Sequence, residues 1–151
     1  MAFQSATRKK SKLRMAIDAP AGGGKSVTAL RMAFALGKKV FVIDSEHGSA
    51  SKYLGETFDD VTFDQFQVKE LSSFSPAEYT ASIEEAVNAG ADVLIIDSLS
   101  HAWSGIDGAL AIVDKKAAES TSKNSYFAWR DVTPLHNRMV EAILQAPIHI
   151  I

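Results

Sequence analysis

The stretch DAPAGGGKSV, residues 18–27, constrains this chain more than any other part of it. It stands between a short apolar run, Leu13 to Asp18, and a helical pattern from Lys25 to Leu36 whose Val27, Leu30 and Phe34 share a face, with Gly37 as its stop. A flexible linker has no place between an apolar strand and an amphipathic helix. Strand, glycine loop and helix in that order make a cradle for an anion, because glycines let the backbone curl until successive N–H groups converge. The helix N-terminus adds its dipole, typically ~0.3–1 kcal/mol for an anion placed there.

The stretch fits the phosphate-loop pattern G-x-x-x-x-G-K-[ST] except that Ala19 holds the first glycine position. That glycine eases the turn out of the strand and contributes less to phosphate contact, so the departure weakens the match only slightly. The expected nucleotide contacts come from Ala21, Gly22, Gly23, Gly24, Lys25, Ser26 and Val27. Lys25 is expected on the β- and γ-phosphates of a nucleotide and the Ser26 hydroxyl on Mg²⁺. A glycine-rich turn without a ligand is the competing reading.

A phosphate loop does not say what becomes of the nucleotide. In ADVLIIDS, residues 91–98, an apolar strand ends on Asp97, at the carboxyl edge where the loop's phosphates are expected. Asp97 is therefore the candidate second metal ligand, against its reading as a turn or cap aspartate. Hydrolysis also needs a base for the attacking water. In VIDSEHGSA the acids are Asp44 and Glu46; Glu46 has the longer reach, and Asp44 is read as the structural end of its strand. On local sequence alone, Glu46 reads equally as a surface residue.

Strand and helix patterns alternate, which predicts a parallel sheet covered on both faces. Val40 to Asp44 is a strand, Ser51 to Leu54 a short helix, and a weaker strand lies within Val61 to Val68 at or near the sheet edge. Ser75, Pro76 and Glu78 form the start of a helix with a capping box; its apolar stripe is Tyr79, Ile83, Ala86 and Val87, and Gly90 ends it. Asp107 is expected to cap a helix carrying Leu110, Val113 and Ala117, and Ser120 to Ser125 to be mobile. Thr133 and Pro134 open a last helix with Leu135, Met139 and Ile143 on one face, stopped by Pro147. IHII then begins a final strand, from which a C-terminally truncated piece of a longer chain is expected.

The 151 residues suffice for one nucleotide-binding domain over 1–151, preceded within it by a basic, flexible tail over 1–11. The run through residue 15 carries Arg8, Lys9, Lys10, Lys12 and Arg14 and no acid, either a solvated tail or a contact for the DNA backbone. A net charge of −2 gives the chain as a whole no electrostatic footprint for nucleic acid. The absence of cysteine excludes disulfides, thiolate catalysis and Cys-based zinc sites, and the four scattered histidines argue against a structural metal. No apolar run has the length of a membrane span and no secretory signal opens the chain, so no membrane partner and a cytoplasmic location are expected.

At these sites the sequence resembles the RecA-like branch of the P-loop ATPases. FVIDSEHGSA is similar to the segment that carries that family's catalytic glutamate, and VLIIDSLS to its Walker B strand with the serine after the aspartate. The resemblance implies Glu46 as the water-activating base, Lys25 beside it in catalysis, and the strand begun by IHII inserted between the phosphate-loop strand and the Walker B strand. It also implies a three-layer α/β sandwich. More closely, the run from KLRMAIDAPAGGGKS to NSYFAWRDVTPLHNRMVEAILQAPIHII resembles the AAA-type ATPases of phages and prophages, some of them RecA-like single-strand annealing recombinases. SLSHAW and AWRDVTPLHN suggest that group, which implies partners such as single-stranded DNA, a single-strand-binding protein and further copies of the chain.

His47 is read as a polar loop residue or as a group that adjusts Glu46. His101 and Trp103 follow Asp97 where a DNA-binding loop is expected, and Trp103 either stacks on a base or packs over the sheet edge. Trp129 is read as the anchor of the last helix, and His136 and His149 as structural. Arg130 and Arg138 are candidates to reach a neighbour's nucleotide in an oligomer, against plain surface positions. Besides hydrolysis coupled to single-stranded DNA, a nucleotide-binding assembly switch and a small-molecule or nucleotide kinase stay open. A kinase lid usually carries arginine, and none occurs between Arg31 and Arg130.

Overall fold

The computed structural model describes residues 5, 7, 11–120 and 124–151. Arg8, Lys9 and Lys10 of the basic tail, and residues 121–123 of the polar stretch expected to be mobile, lie outside them. The elements run α1 (Lys25–Leu36), β1 (Val40–Asp44), a 3₁₀ turn (Ser51–Tyr53), β2 (Thr57–Phe58), β3 (Val61–Thr62), β4 (Gln67–Glu70) and α2 (Pro76–Asn88). Then follow β5 (Val93–Asp97), α3 (His101–Ser104), α4 (Ala109–Glu119), α5 (Ser125–Gln145) and β6 (His149–Ile150).

The main sheet has the order β4-β1-β5-β6 and every pairing in it is parallel. Its two central strands are apolar up to the aspartate that ends each of them, because both faces are covered, and the period of a strand sorts their side chains. Val40, Val42, Val93 and Ile95 pack with Ala29, Leu30 and Ala33 of α1. Ile43 and Leu94 pack the other way, with Tyr79 and Ile83 of α2 and Met139 of α5. The result is the α/β sandwich the alternating pattern predicts, a mainly parallel sheet between helices. No helix among the described residues is long and apolar enough to cross a membrane.

Five expectations are corrected. The run Leu13 to Asp18 forms no strand, only an isolated parallel bridge between Arg14 and Ile150, with Met15 N–H donating to the Ile150 carbonyl at 3.1 Å. Its neighbour β6 pairs over only two residues, which leaves no longer ladder for it to join. The position is still the one the resemblance implies: β6 lies between β5 and this run. The strand expected within Val61 to Val68 divides in two where its apolar phase shifts. β3 turns back on β2, Phe63 is buried between Phe34 and Phe58, and β4 forms the sheet edge.

The last helix starts at Ser125, well before Pro134, with Asn124 accepting the Tyr126 N–H at 2.9 Å as its cap. A proline inside a helix costs about 3 kcal/mol, mostly a lost hydrogen bond and a clash with the preceding turn. Ala128, Val132 and Met139, buried along the whole length, hold the helix together across it. Asp107 does not cap α4; it sits at φ 59° and Gly108 takes the cap position, with its N–H on the Gly105 carbonyl at 2.9 Å. A side chain at Gly108 would stand 2.8 Å from the His101 carbonyl oxygen, so only glycine fits that close pass. By contrast Ser75 caps α2 as read, accepting the Glu78 N–H at 3.2 Å, while the Glu78 carboxylate turns to Lys69 at 3.4 Å.

Arg14 is no tail residue. Its guanidinium donates to the carbonyls of Leu13, Ile143, Leu144, Ala146 and Ile148, closing the end of α5 against the start of the chain. The last carbonyls of a helix have no partner within it, and a cationic fork satisfies several of them at once. Nearby His149 accepts the Leu13 N–H on Nδ1 at 2.9 Å, and burial holds its imidazole below its ordinary pKa, in the neutral form that this bond needs. We expect Arg14→Ala to lower stability by about 2–3 kcal/mol, the scale of hydrogen bonds to a charged group. Urea unfolding of wild type and variant checks this; a difference under about 0.5 kcal/mol, the scale of a surface substitution, contradicts it.

Candidate functional site

The glycine loop is bent as a phosphate cradle requires. Gly22 and Gly24 take φ values of 76° and 80°, in the left-handed region, and the Gly23 N–H closes a turn on the Pro20 carbonyl at 3.0 Å. A Cβ on Gly23 would lie 2.9 Å from both the Ala19 Cβ and the Pro20 oxygen, so the loop has no room for a side chain there. Gly24 is the N-cap of α1, and no side chain caps that helix. The first N–H groups of a helix have no partner inside it, so here they remain for an external acceptor. Ala21 to Gly24 are exposed and lie outside the cavity lining, and Val27 is half-buried on the α1 side of the core. Gly22, Gly23 and Gly24 have only backbone to offer a ligand, and neither Ala21 nor Val27 puts a side chain in the cavity lining.

Next to the loop is a cavity of about 560 Å³. Lys25, Ser26, Glu46 and Asp97 all line it, so side chains read as a site from three separate stretches of sequence meet in one space. The topology explains this. Asp44 and Asp97 are register partners at the carboxyl ends of β1 and β5, and α1 packs over the same strands, bringing its first turn to that edge. Asp97 is 7% exposed, and its Oδ2 accepts the Ser26 hydroxyl at 2.6 Å. Lys25 folds back, donating from Nζ to the Ala19 carbonyl at 2.9 Å.

Asp44 and Glu46 have opposite surroundings. Asp44 is fully buried, and its two oxygens accept the N–H groups of Glu46 and Gly48, each at 2.7 Å. Those bonds pull residues 45–48 into a tight bend, with His47 and Gly48 at φ 55° and 93°. Glu46 is exposed, and among the described residues its carboxylate has no hydrogen-bond or ion-pair partner. Backbone N–H groups occupy both oxygens of Asp44, whereas Glu46, with no such partners, lines the cavity where a water could reach it.

His47 points its ring toward Phe74, 6.4 Å away. Trp103 is 45% exposed and stacks on Trp129 at 5.5 Å, while His136 meets it edge-on at 5.8 Å. Trp129 also packs with Val113, Ala128 and Val132, between α4 and α5. Arg130 and Arg138 are exposed on α5 and do not line the cavity.

Sequence reasoning missed Ser49, whose hydroxyl donates to Asp97 Oδ2 at 3.2 Å, and the contact of His101 with Ser45 at 2.7 Å. It also missed Asp18, which lines the cavity at the start of the loop. The only local signal for Ser49 is a small hydroxyl residue in the segment that follows Glu46. No curated protein and no solved structure matches the chain. The family model for the AAA domain matches residues 11–151, and with nearly its whole length so covered the chain belongs to that family of P-loop nucleotide-binding proteins.

Proposed function

We propose that this chain is a Mg²⁺-dependent ATPase, a single nucleotide-binding domain whose loop of residues 19–26 holds the phosphates and whose Glu46 activates water. The observation that carries this is the cavity itself, which joins Lys25, Ser26, Asp97 and Glu46. The groups in and beside it fit the proposed ligands. Left-handed glycines and an uncapped helix end present N–H groups to an anion, and Ser26 and Asp97 set two hard oxygens 2.6 Å apart. Mg²⁺ takes few protein oxygens and completes its shell with phosphate and water, so that pair is the protein's share.

In this account the backbone N–H groups of the loop grip the phosphates, and Lys25 exchanges the Ala19 carbonyl for the β- and γ-phosphate oxygens. Ser26 and Asp97 hold Mg²⁺, which when bound neutralises charge building between those phosphates. Glu46 takes a proton from the attacking water as its oxygen bonds to the γ-phosphorus and the bond to the β-phosphate oxygen breaks. Asp97→Asn tests the metal half. It is expected to raise the Mg²⁺ concentration required for binding of a fluorescent ATP analogue several-fold, with smaller loss of Mg²⁺-independent binding. An unchanged metal requirement returns Asp97 to a structural role.

The reading extends to a RecA-like phage-type ATPase acting with single-stranded DNA in recombination or annealing. What supports it is the resemblance carried by SLSHAW and AWRDVTPLHN, together with the half-exposed Trp103, three residues beyond the cavity-lining Ser100. The expected result is a rise in ATP hydrolysis on adding single-stranded DNA that shrinks as salt increases, because phosphate contacts release counterions. Hydrolysis indifferent to DNA at low and high salt removes this extension and leaves the ATPase.

A further inference from the structure

Glu46 has no side-chain partner among the described residues, so its position depends on the backbone on either side of it. One side is held by Asp44, as above. The other is held by Ser45, which is 2% exposed. The Ser45 N–H donates to the Asp97 carbonyl at 2.8 Å, and its Oγ accepts the Ser98 N–H, also at 2.8 Å. The same Oγ lies 3.1 Å from the Ser98 carbonyl and 2.7 Å from Nδ1 of His101.

A serine hydroxyl offers one proton and two lone pairs. With the Ser98 N–H on one pair, the bond to His101 closes with either group as donor. If the Ser45 proton turns to His101, the Ser98 carbonyl keeps the Tyr79 hydroxyl at 2.9 Å, so nothing is left unpaired. The histidine ring is itself fixed, stacked on Phe74 at 5.0 Å and 26°. Space around it is closed too, since a Cβ on Gly105 would meet Phe74 at 2.7 Å and the His101 Cβ at 3.0 Å. The contacts to Asp97 and Ser98 already tie the two strand ends together. His101 adds a rigid side chain from α3 that reaches the residue beside Glu46.

We propose that His101 is a positioning residue for hydrolysis: through Ser45 Oγ it fixes the strand tip that aims Glu46 at the attacking water. This rests on the reading of Glu46 as the base. His101→Ala removes the bond, whereas His101→Asn keeps a hydrogen-bonding atom near the place of Nδ1. His101→Ala is expected to lower kcat for Mg·ATP by up to about 100-fold, the scale of a 1 Å misplacement, with KM within about twofold. His101→Asn is expected to restore most of kcat.

The deciding comparison repeats His101→Ala in a Glu46→Gln background. If His101 acts through Glu46, the second substitution slows the enzyme little further. An equal loss in both backgrounds, or a loss that His101→Asn shares along with nucleotide affinity, overturns the proposal. If the wild type does not hydrolyse ATP at all, the ATPase reading falls, and the contact is read by amide exchange at Glu46 and Gly48. Faster exchange in His101→Ala with protection regained in His101→Asn upholds the positioning of the strand tip. Exchange unchanged in both overturns it.

Discussion

Lys25→Ala is expected to abolish the rise in melting temperature that Mg·ATP or Mg·ADP gives the wild type. A ligand present at 100 times its Kd stabilises the folded state by about 2.7 kcal/mol. A domain of this size responds by roughly 2–4 °C per kcal/mol, so the wild-type rise is about 5–11 °C. Lys25 sits in the first turn of α1, beside the uncapped helix end, and lines the cavity next to Ser26. In the described structure it spends its charge on one carbonyl, that of Ala19, which a polyphosphate outbids by offering full negative charge. The side chain is only half-buried, so its removal leaves no unpaired group in the core and the variant should fold. Equal rises in wild type and variant contradict the phosphate-loop assignment.

How much of this was legible beforehand depends on how far apart in sequence the partners are. α1, β1 and β5 follow from local pattern: a helix with one apolar face, and runs that are apolar up to their terminal aspartate because both faces are covered. Lys25, Ser26 and Asp97 were legible for the same reason, since each stands at the end of such an element. The start of α5 was not, because Pro134 is a strong local signal for a helix start and only burial of Ala128 and Val132 against α4 overrides it. Arg14 looked like one of a row of solvated cations. Its carbonyl partners at the end of α5 and just beyond it lie at separations of 129 to 134 residues, and no pattern in residues 8–14 announces them. The Ser45–His101 and Ser49–Asp97 contacts, 56 and 48 residues apart, are likewise products of strand register. Asp44 and Glu46 were separable in reach from sequence. Only the structure shows that backbone N–H groups occupy both oxygens of Asp44, while Glu46, which lines the cavity, has a carboxylate with no partner among the described residues.

That difference carries the second large effect. Glu46→Gln is expected to bind Mg·ATP as the wild type does and to hydrolyse it about 10²–10⁴-fold more slowly, the usual share of general-base catalysis. Glutamine keeps the length and shape of the side chain. Because Glu46 is exposed and holds nothing else by its carboxylate, neither the bend at residues 45–48 nor the cavity wall depends on its charge. What glutamine cannot do is accept the proton of water. The loss therefore belongs in kcat, with KM and nucleotide affinity preserved, which distinguishes a lost base from a damaged pocket.

Single-turnover hydrolysis of saturating Mg·ATP, wild type beside Glu46→Gln, reads the role of Glu46 as the base without interference from product release. Both proteins are expected to bind the nucleotide, with the variant turning it over at least about 100-fold more slowly than the wild type. Hydrolysis by Glu46→Gln at the wild-type rate would contradict the assignment of the base. A wild type that binds Mg·ATP and never hydrolyses it would contradict the ATPase itself and leave a nucleotide-binding switch in its place.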